Sequence, residues 1–120
     1  MNYVNVFAPE LRGTIKRDVP FLPGAWVSFY DDITPAMLEQ AKAETERTGE
    51  AMNSDLLLLS QMIADWNFAD EKGKRLDITV DNLKKLSLTK FLAWLINTQG
   101  EILKVMQAAA VSKKNSPASS

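Results

Sequence analysis

Few side chains in this sequence could do covalent or metal chemistry, and their spacing decides how far each one goes. The 120 residues include no histidine and no cysteine. The commonest general base, thiol nucleophiles, disulfides and the usual zinc sites are therefore missing. A serine nucleophile needs a base beside it, and the candidate is Ser112-Lys113-Lys114. It lies in a polar terminal stretch where nothing fixes its geometry. Asp31-Asp32 and Asp70-Glu71 are adjacent carboxylates. Glycoside hydrolysis needs two carboxyls held about 5–9.5 Å apart across a cleft, which neighbours in a turn do not supply. The first pair leads into a helix and the second marks a solvated turn. Asp70-Glu71-Lys72-Gly73 resembles the start of a calcium loop but lacks the run of oxygen ligands and the closing glutamate. The five glycines are scattered and form no phosphate cradle. The side chains thus indicate a protein that is not an enzyme and needs no cofactor or metal.

Binding chemistry is better represented. Tryptophans stand at positions 26, 66 and 94, and an aromatic beside a cation can stack a nucleobase. Trp66 and Trp94 fall inside apolar periodic segments, which points to core packing or to an aromatic anchor in a protein interface. Fourteen basic and fifteen acidic residues leave a net charge of −1. Nucleic-acid binders usually carry a basic excess that neutralises phosphate. The local clusters here, Lys72, Lys74 and Arg75 and then Lys84 and Lys85, are interrupted by acidic neighbours. Neither a nucleic-acid partner nor a membrane is expected. The richest apolar run, Leu56–Leu59, is far short of the roughly 18 residues a span needs. Met1 to Phe7 has no basic segment leading into an apolar one, so a cytoplasmic location is expected.

The elements that must position these groups follow from caps and periodicity. Pro23-Gly24 is a turn signal, and Trp26, Phe29 and Tyr30 give the residues after it strand character. One or two short strands, or a hairpin, are expected before residue 33, with Phe21 and Trp26 able to face each other across the turn. Thr34-Pro35 starts a helix that Gly49 ends. Its weak stripe of Met37, Leu38 and Ala41 places it at the surface. Asn53 or Ser54 starts a second helix, in which Leu56, Leu59, Met62, Ile63 and Trp66 recur at spacings of three and four. Residues 66–78 then read as a small hairpin or extended elbow around Asp70–Gly73. Thr79 caps a short third helix carrying Val80, Leu83 and Leu86. Ser87 or Thr89 opens a long amphipathic fourth, with Leu88, Phe91, Leu92, Leu95, Ile96, Ile102, Leu103 and Met106 on one stripe. The expected fold is mainly helical, α+β, as one globular domain over residues 1–111. Residues 112–120 are too polar to offset their ordering entropy and are expected to be a disordered tail.

One feature exceeds what a core requires. Leu57 and Leu58 widen the apolar arc of the second helix, and Trp94 flanks the stripe of the fourth. Two readings fit this excess: a core alone, or a core with an apolar face for a partner. On the second reading Leu57, Leu58, Phe91, Trp94, Leu95 and Ile102 are the candidate partner-binding residues, for self-association or for another protein.

The order of elements also resembles a known family. Residues Trp66 to Thr79 run Trp-Asn-Phe-Ala-Asp-Glu-Lys-Gly-Lys-Arg-Leu-Asp-Ile-Thr. This is similar to an element of the tail assembly chaperones of long-tailed (siphovirus-type) bacteriophages: a tryptophan, an alternating apolar residue, an acidic-Gly turn, a short apolar strand and a threonine opening a helix. A short helix ending in leucine and a long amphipathic helix follow in that family, as do Val80–Leu86 and Leu88–Ala110 here. Phe21-Leu22-Pro23-Gly24-Ala25-Trp26-Val27, with Thr34 and its helix, also suits it, so that the likeness covers most of residues 20–106. The family shares layout more than fixed residues, and no site residue carries over. The resemblance implies a protein that binds the hydrophobic tape-measure protein in the host cytoplasm, keeps it soluble, helps recruit tail tube subunits and is absent from the mature virion. Many members have a longer form made by a programmed frameshift. Lys113-Lys114-Asn115 can be encoded by a slippery heptamer of the A-AAA-AAC type, which would make this chain the short form. The alternative is another small phage structural or adaptor protein, such as a head–tail connector or a regulatory binding module.

Overall fold

A computed structural model describes the backbone of residues 2–114 and the side chains within it, apart from those of Pro9 and residues 109–114. The chain is α+β, with a small antiparallel sheet and four α-helices among the described residues. The strands are β1 (Thr14–Asp18), β2 (Trp26–Tyr30) and β3 (Ile63–Trp66), in the order β1-β2-β3. The helices are α1 (Pro35–Thr48), α2 (Ala51–Met62), α3 (Val80–Leu83) and α4 (Ala93–Lys114).

The Pro23-Gly24 turn joins β1 to β2 as expected. The Val19 amide donates to the Ala25 carbonyl at 2.9 Å, and Gly24 takes φ +87°, a backbone angle that suits glycine. Phe21 and Trp26 do not face each other. Phe21 turns toward Phe91, and Trp26 lies on the outer sheet face under the Lys16 ammonium, 4.6 Å from its ring centre. The alternation of β2 puts Val27 and Phe29 into the core, while Trp26, Ser28 and Tyr30 stay half-exposed.

Thr34 caps α1 by accepting from the Met37 amide, and Gly49 ends the helix in the left-handed region. Ala41 is the buried residue of α1, which packs along α2. The start of α2 differs from expectation: the helix begins at Ala51 behind Glu50, and the Ser54 hydroxyl donates to the Ala51 carbonyl instead of capping. Its end differs too. Ile63 and Trp66 belong to β3 and not to the helix. Val27 pairs with Trp66, Ser28 with Asp65 and Phe29 with Ile63, so Ala64 is left out as a bulge. The extra residue lets Ile63 and Trp66 both face inward, although a regular strand would put residues three apart on opposite faces.

The elbow is closed by an isolated bridge between Ala69 and Arg75 and by the indole of Trp66, which donates to the Leu76 carbonyl at 2.8 Å. Thr79 caps α3, which stops at Leu83, so Leu86 lies in the following turn. Ser87 accepts from the Lys90 amide and opens a π-helical turn, Leu88–Leu92, that runs into α4. The helix continues through Lys114, so residues 112–114, expected in the tail, are helical backbone. Residues 115–120, the rest of that expected tail, lie outside the described residues.

One core joins the sheet, α2, the elbow, α3 and α4. Val27, Phe29, Leu59, Leu83 and Leu95 are fully buried, and Trp66, Leu56, Leu92 and Ile102 pack with them. Because α2 touches α1, α3 and α4, a helix that is apolar on more than one side is what the packing requires.

Candidate functional site

An apolar groove of about 490 Å³ opens between three segments that are distant in sequence. The Pro-Gly turn contributes Leu22, Pro23 and Ala25; the elbow contributes Phe68, Ala69 and Leu76; the entry to the last helix contributes Leu86 and Phe91. Asn67 fixes the first two walls together. Its carboxamide oxygen accepts from the Trp26 amide at 2.8 Å, and its nitrogen donates to the Gly24 carbonyl at 2.7 Å.

A row of aromatics runs from the core to the lip of this groove. Trp66 stacks on Phe68 with ring centres 4.7 Å apart, Phe68 meets Phe91 edge-on at 5.4 Å, and Phe91 meets Phe21 edge-on at 5.0 Å. Phe21 and Leu22 are exposed at the lip, and Leu88 is exposed at the start of the π-helical turn that leads into α4. The surface continues past Leu76 and Leu86 into a second depression edged by Asp70, Glu71, Lys72 and Lys85. An apolar floor with a charged rim is the usual layout of a protein–protein contact.

The sequence-predicted partner residues divide. Phe91 lines the groove. Leu57 and Leu58 are half-buried on α2 and do not line this groove, while Trp94 leans on Phe29 with ring centres 6.3 Å apart. Leu95 and Ile102 are core residues, at 0% and 3% exposure. They have no surface to offer, because the inner stripe of α4 is consumed by the sheet and α2. The leucine run therefore contributes nothing to this groove. Sequence reasoning missed the contributions of Leu22, Phe68 and Leu76. The available signal was Phe21-Leu22 itself: two large apolar residues at a turn, where polar ones are usual.

The carboxylate pairs have structural work. Asp32 bonds Arg12 at 2.7 Å, with the Arg12 guanidinium 3.5 Å from the centre of the Tyr30 ring. The Asp31 amide donates to the Gly13 carbonyl, and the Asp31 carboxylate lies so close to Gly13 that a Cβ there would clash. The Asp70 carboxylate accepts from the amides of Lys72 and Lys74 and holds the turn, with Gly73 at φ +80°. Among the described residues no group of three or more acidic, histidine or cysteine side chains is placed to hold a metal ion. No described helix is long and apolar enough to cross a membrane. What the arrangement offers is an apolar receptacle with a rigid aromatic wall. The sequence matches no protein-family model, and no curated protein or solved structure matches it either.

Proposed function

We propose that this chain is a tail assembly chaperone of a long-tailed bacteriophage. In this reading it binds apolar stretches of the tape-measure protein in the host cytoplasm, keeps that protein soluble, and helps bring tail tube subunits to it. The observation that supports the reading is the open groove beside Phe91, with Phe21 and Leu22 exposed at its lip. A segment that would aggregate when exposed to water is held back by burial against such a surface, at about 25 cal/mol for each Å² of apolar area covered. Binding alone shifts the equilibrium, with no need for nucleotide hydrolysis. The charged rim suits a partner that must be released again when the tail tube takes its place.

Co-expression with the tape-measure protein tests this. The wild-type chain should bring that protein into the soluble fraction. The double variant Phe21→Asp, Leu22→Asp should leave it in the pellet while keeping the wild-type far-UV circular dichroism, because both side chains stand at the surface. Full solubilisation by the variant would rule the groove out as the binding surface, and no solubilisation by the wild type would remove the chaperone reading.

A further inference from the structure

Residues Tyr3 to Phe7 read Tyr-Val-Asn-Val-Phe, a run of aromatic and β-branched residues around one asparagine, a composition that favours a strand. Among the described residues they pair with no strand. Tyr3, Val4, Val6 and Phe7 are 90%, 82%, 69% and 89% exposed. The bond the Phe7 amide makes is a local one, to the Asn5 side chain.

The sheet has a matching vacancy. β1 is an edge strand of five residues, the length of the arm. The Asp31 amide reaches the Gly13 carbonyl and the Val19 amide the Ala25 carbonyl, one bond at each end of the β1–β2 ladder. Antiparallel pairing alternates, so the peptide groups of Ile15 and Arg17 face β2. Those of Thr14, Lys16 and Asp18 face outward. Among the described residues no backbone group pairs with them.

We propose that two copies of this chain exchange arms, the Tyr3–Phe7 segment of each adding as a strand to the outer edge of β1 in the other. The arm's own β1 is the poorer acceptor. Arg12, just ahead of it, is tied to Asp32 and lies over Tyr30, which draws the incoming chain toward β2 and away from the free edge. Direct pairing of two β1 edges about a twofold axis at Lys16 would set one Lys16 opposite the other, a like-charge contact that opposes it. The arm segment carries no charged side chain and meets no such penalty. Laid parallel to β1, with Asn5 beside Lys16, the added strand turns the Val4 and Val6 peptide groups toward the free edge; Val4 and Val6 extend the inner face beside half-buried Ile15, and Tyr3 and Phe7 extend the outer face beside Thr14 and Asp18. Each exchange takes two valines and one backbone ladder out of water. Reciprocal exchange closes on itself and stops at two copies. This proposal does not depend on the tape-measure reading.

Light scattering on the full chain at micromolar concentrations tests it. The wild type should have twice the 13.4 kDa chain mass. Val6→Pro removes an arm donor, and Lys16→Pro removes an outward donor that β2 does not use. Each variant should be a monomer with unchanged far-UV circular dichroism. Thr14→Pro, at the next outward position, replaces Lys16→Pro if that variant loses its spectrum. A monomeric wild type, or a dimer in both proline variants, overturns the proposal. A dimer lost in Val6→Pro but kept in the edge variants also overturns it, since the arm then docks elsewhere, the apolar groove being the nearest choice.

Discussion

Phe21 and Phe91 meet edge to face, with ring centres 5.0 Å apart and planes at 77°, where the Pro-Gly turn leans on the start of the last helix. Phe91 is half-buried and also touches Phe68, whereas Phe21 is the exposed end of the row. Truncating them should therefore have unequal cost. Phe91→Ala opens a gap in a partly closed site and should destabilise by about 2–3 kcal/mol. Phe21→Ala removes little more than one aromatic pair, about 0.5–1 kcal/mol. Urea unfolding of both variants checks the order. Equal losses would show that the turn is part of the cooperative core and not a lip.

Trp94 provides the matching control. It packs on Phe29 at 6.3 Å with the planes tilted 57°, away from the groove wall. Trp94→Ala should cost about 2 kcal/mol in stability, less than full burial of a tryptophan would imply. Partner capture by the folded variant should be unchanged. Lost capture with intact stability would move the binding surface from the groove to α4.

The parts of the fold that were legible in the sequence are those fixed by one local interaction. Thr34, Thr79 and Ser87 each accept from the amide three residues on, as a capping residue does. The Pro23-Gly24 turn, the stop at Gly49 and the Asp70–Gly73 turn are local in the same way. β3 was not legible, because a bulge is a tertiary choice. Ile63 and Trp66 stand three apart, which reads as a continuing helical stripe until Ala64 is set aside by pairing with β2. The same limit applies to the site. Phe91 was found from its place on a stripe, but Leu22, Phe68 and Leu76 join it only through contacts between distant segments. Leu95 and Ile102 looked equally available in sequence. Nothing local shows that the sheet will cover one side of a stripe and leave its entry open.

Acid should act on α1 at one identifiable pair. The hydrogen bond from Arg47 holds the Glu44 carboxyl below its ordinary value; partial desolvation opposes this, while the charges of Arg47 and Lys84 act in the same direction as the bond. The same contact raises the Arg47 guanidinium. A carboxyl whose folded value is depressed contributes stability above its unfolded value and loses it as the pH falls through the folded one. In a carboxyl-detected NMR titration Glu44 should titrate below the roughly 4.3 of a free glutamate, and Arg47→Ala should move it back up. An unmoved Glu44 in that variant would remove Arg47 as the cause. The effect on unfolding should be small, because the Arg47 side of the pair stands in solvent.

Among the described side chains of α4, Gln99 is packed against its own chemistry. Its side chain is 5% exposed on the inward stripe, and its amide nitrogen has no hydrogen-bond partner among the described residues. A buried donor left unpaired costs about 1–3 kcal/mol, and replacing it with an apolar group of similar shape removes that cost. Leucine keeps most of the volume, adds no polar atom, and suits a helix interior better than most alternatives. Gln99→Leu should therefore raise stability by about 1 kcal/mol, seen as a higher urea midpoint with an unchanged slope. The neighbouring buried Thr98 gives the contrast, since its hydroxyl is not among the unpaired buried atoms. Thr98→Val should be close to neutral. A loss of stability in Gln99→Leu would mean that the amide is satisfied in solution, by a trapped water or by a second chain. The two are distinguished by repeating the measurement at several protein concentrations: only a second chain makes the loss grow with concentration.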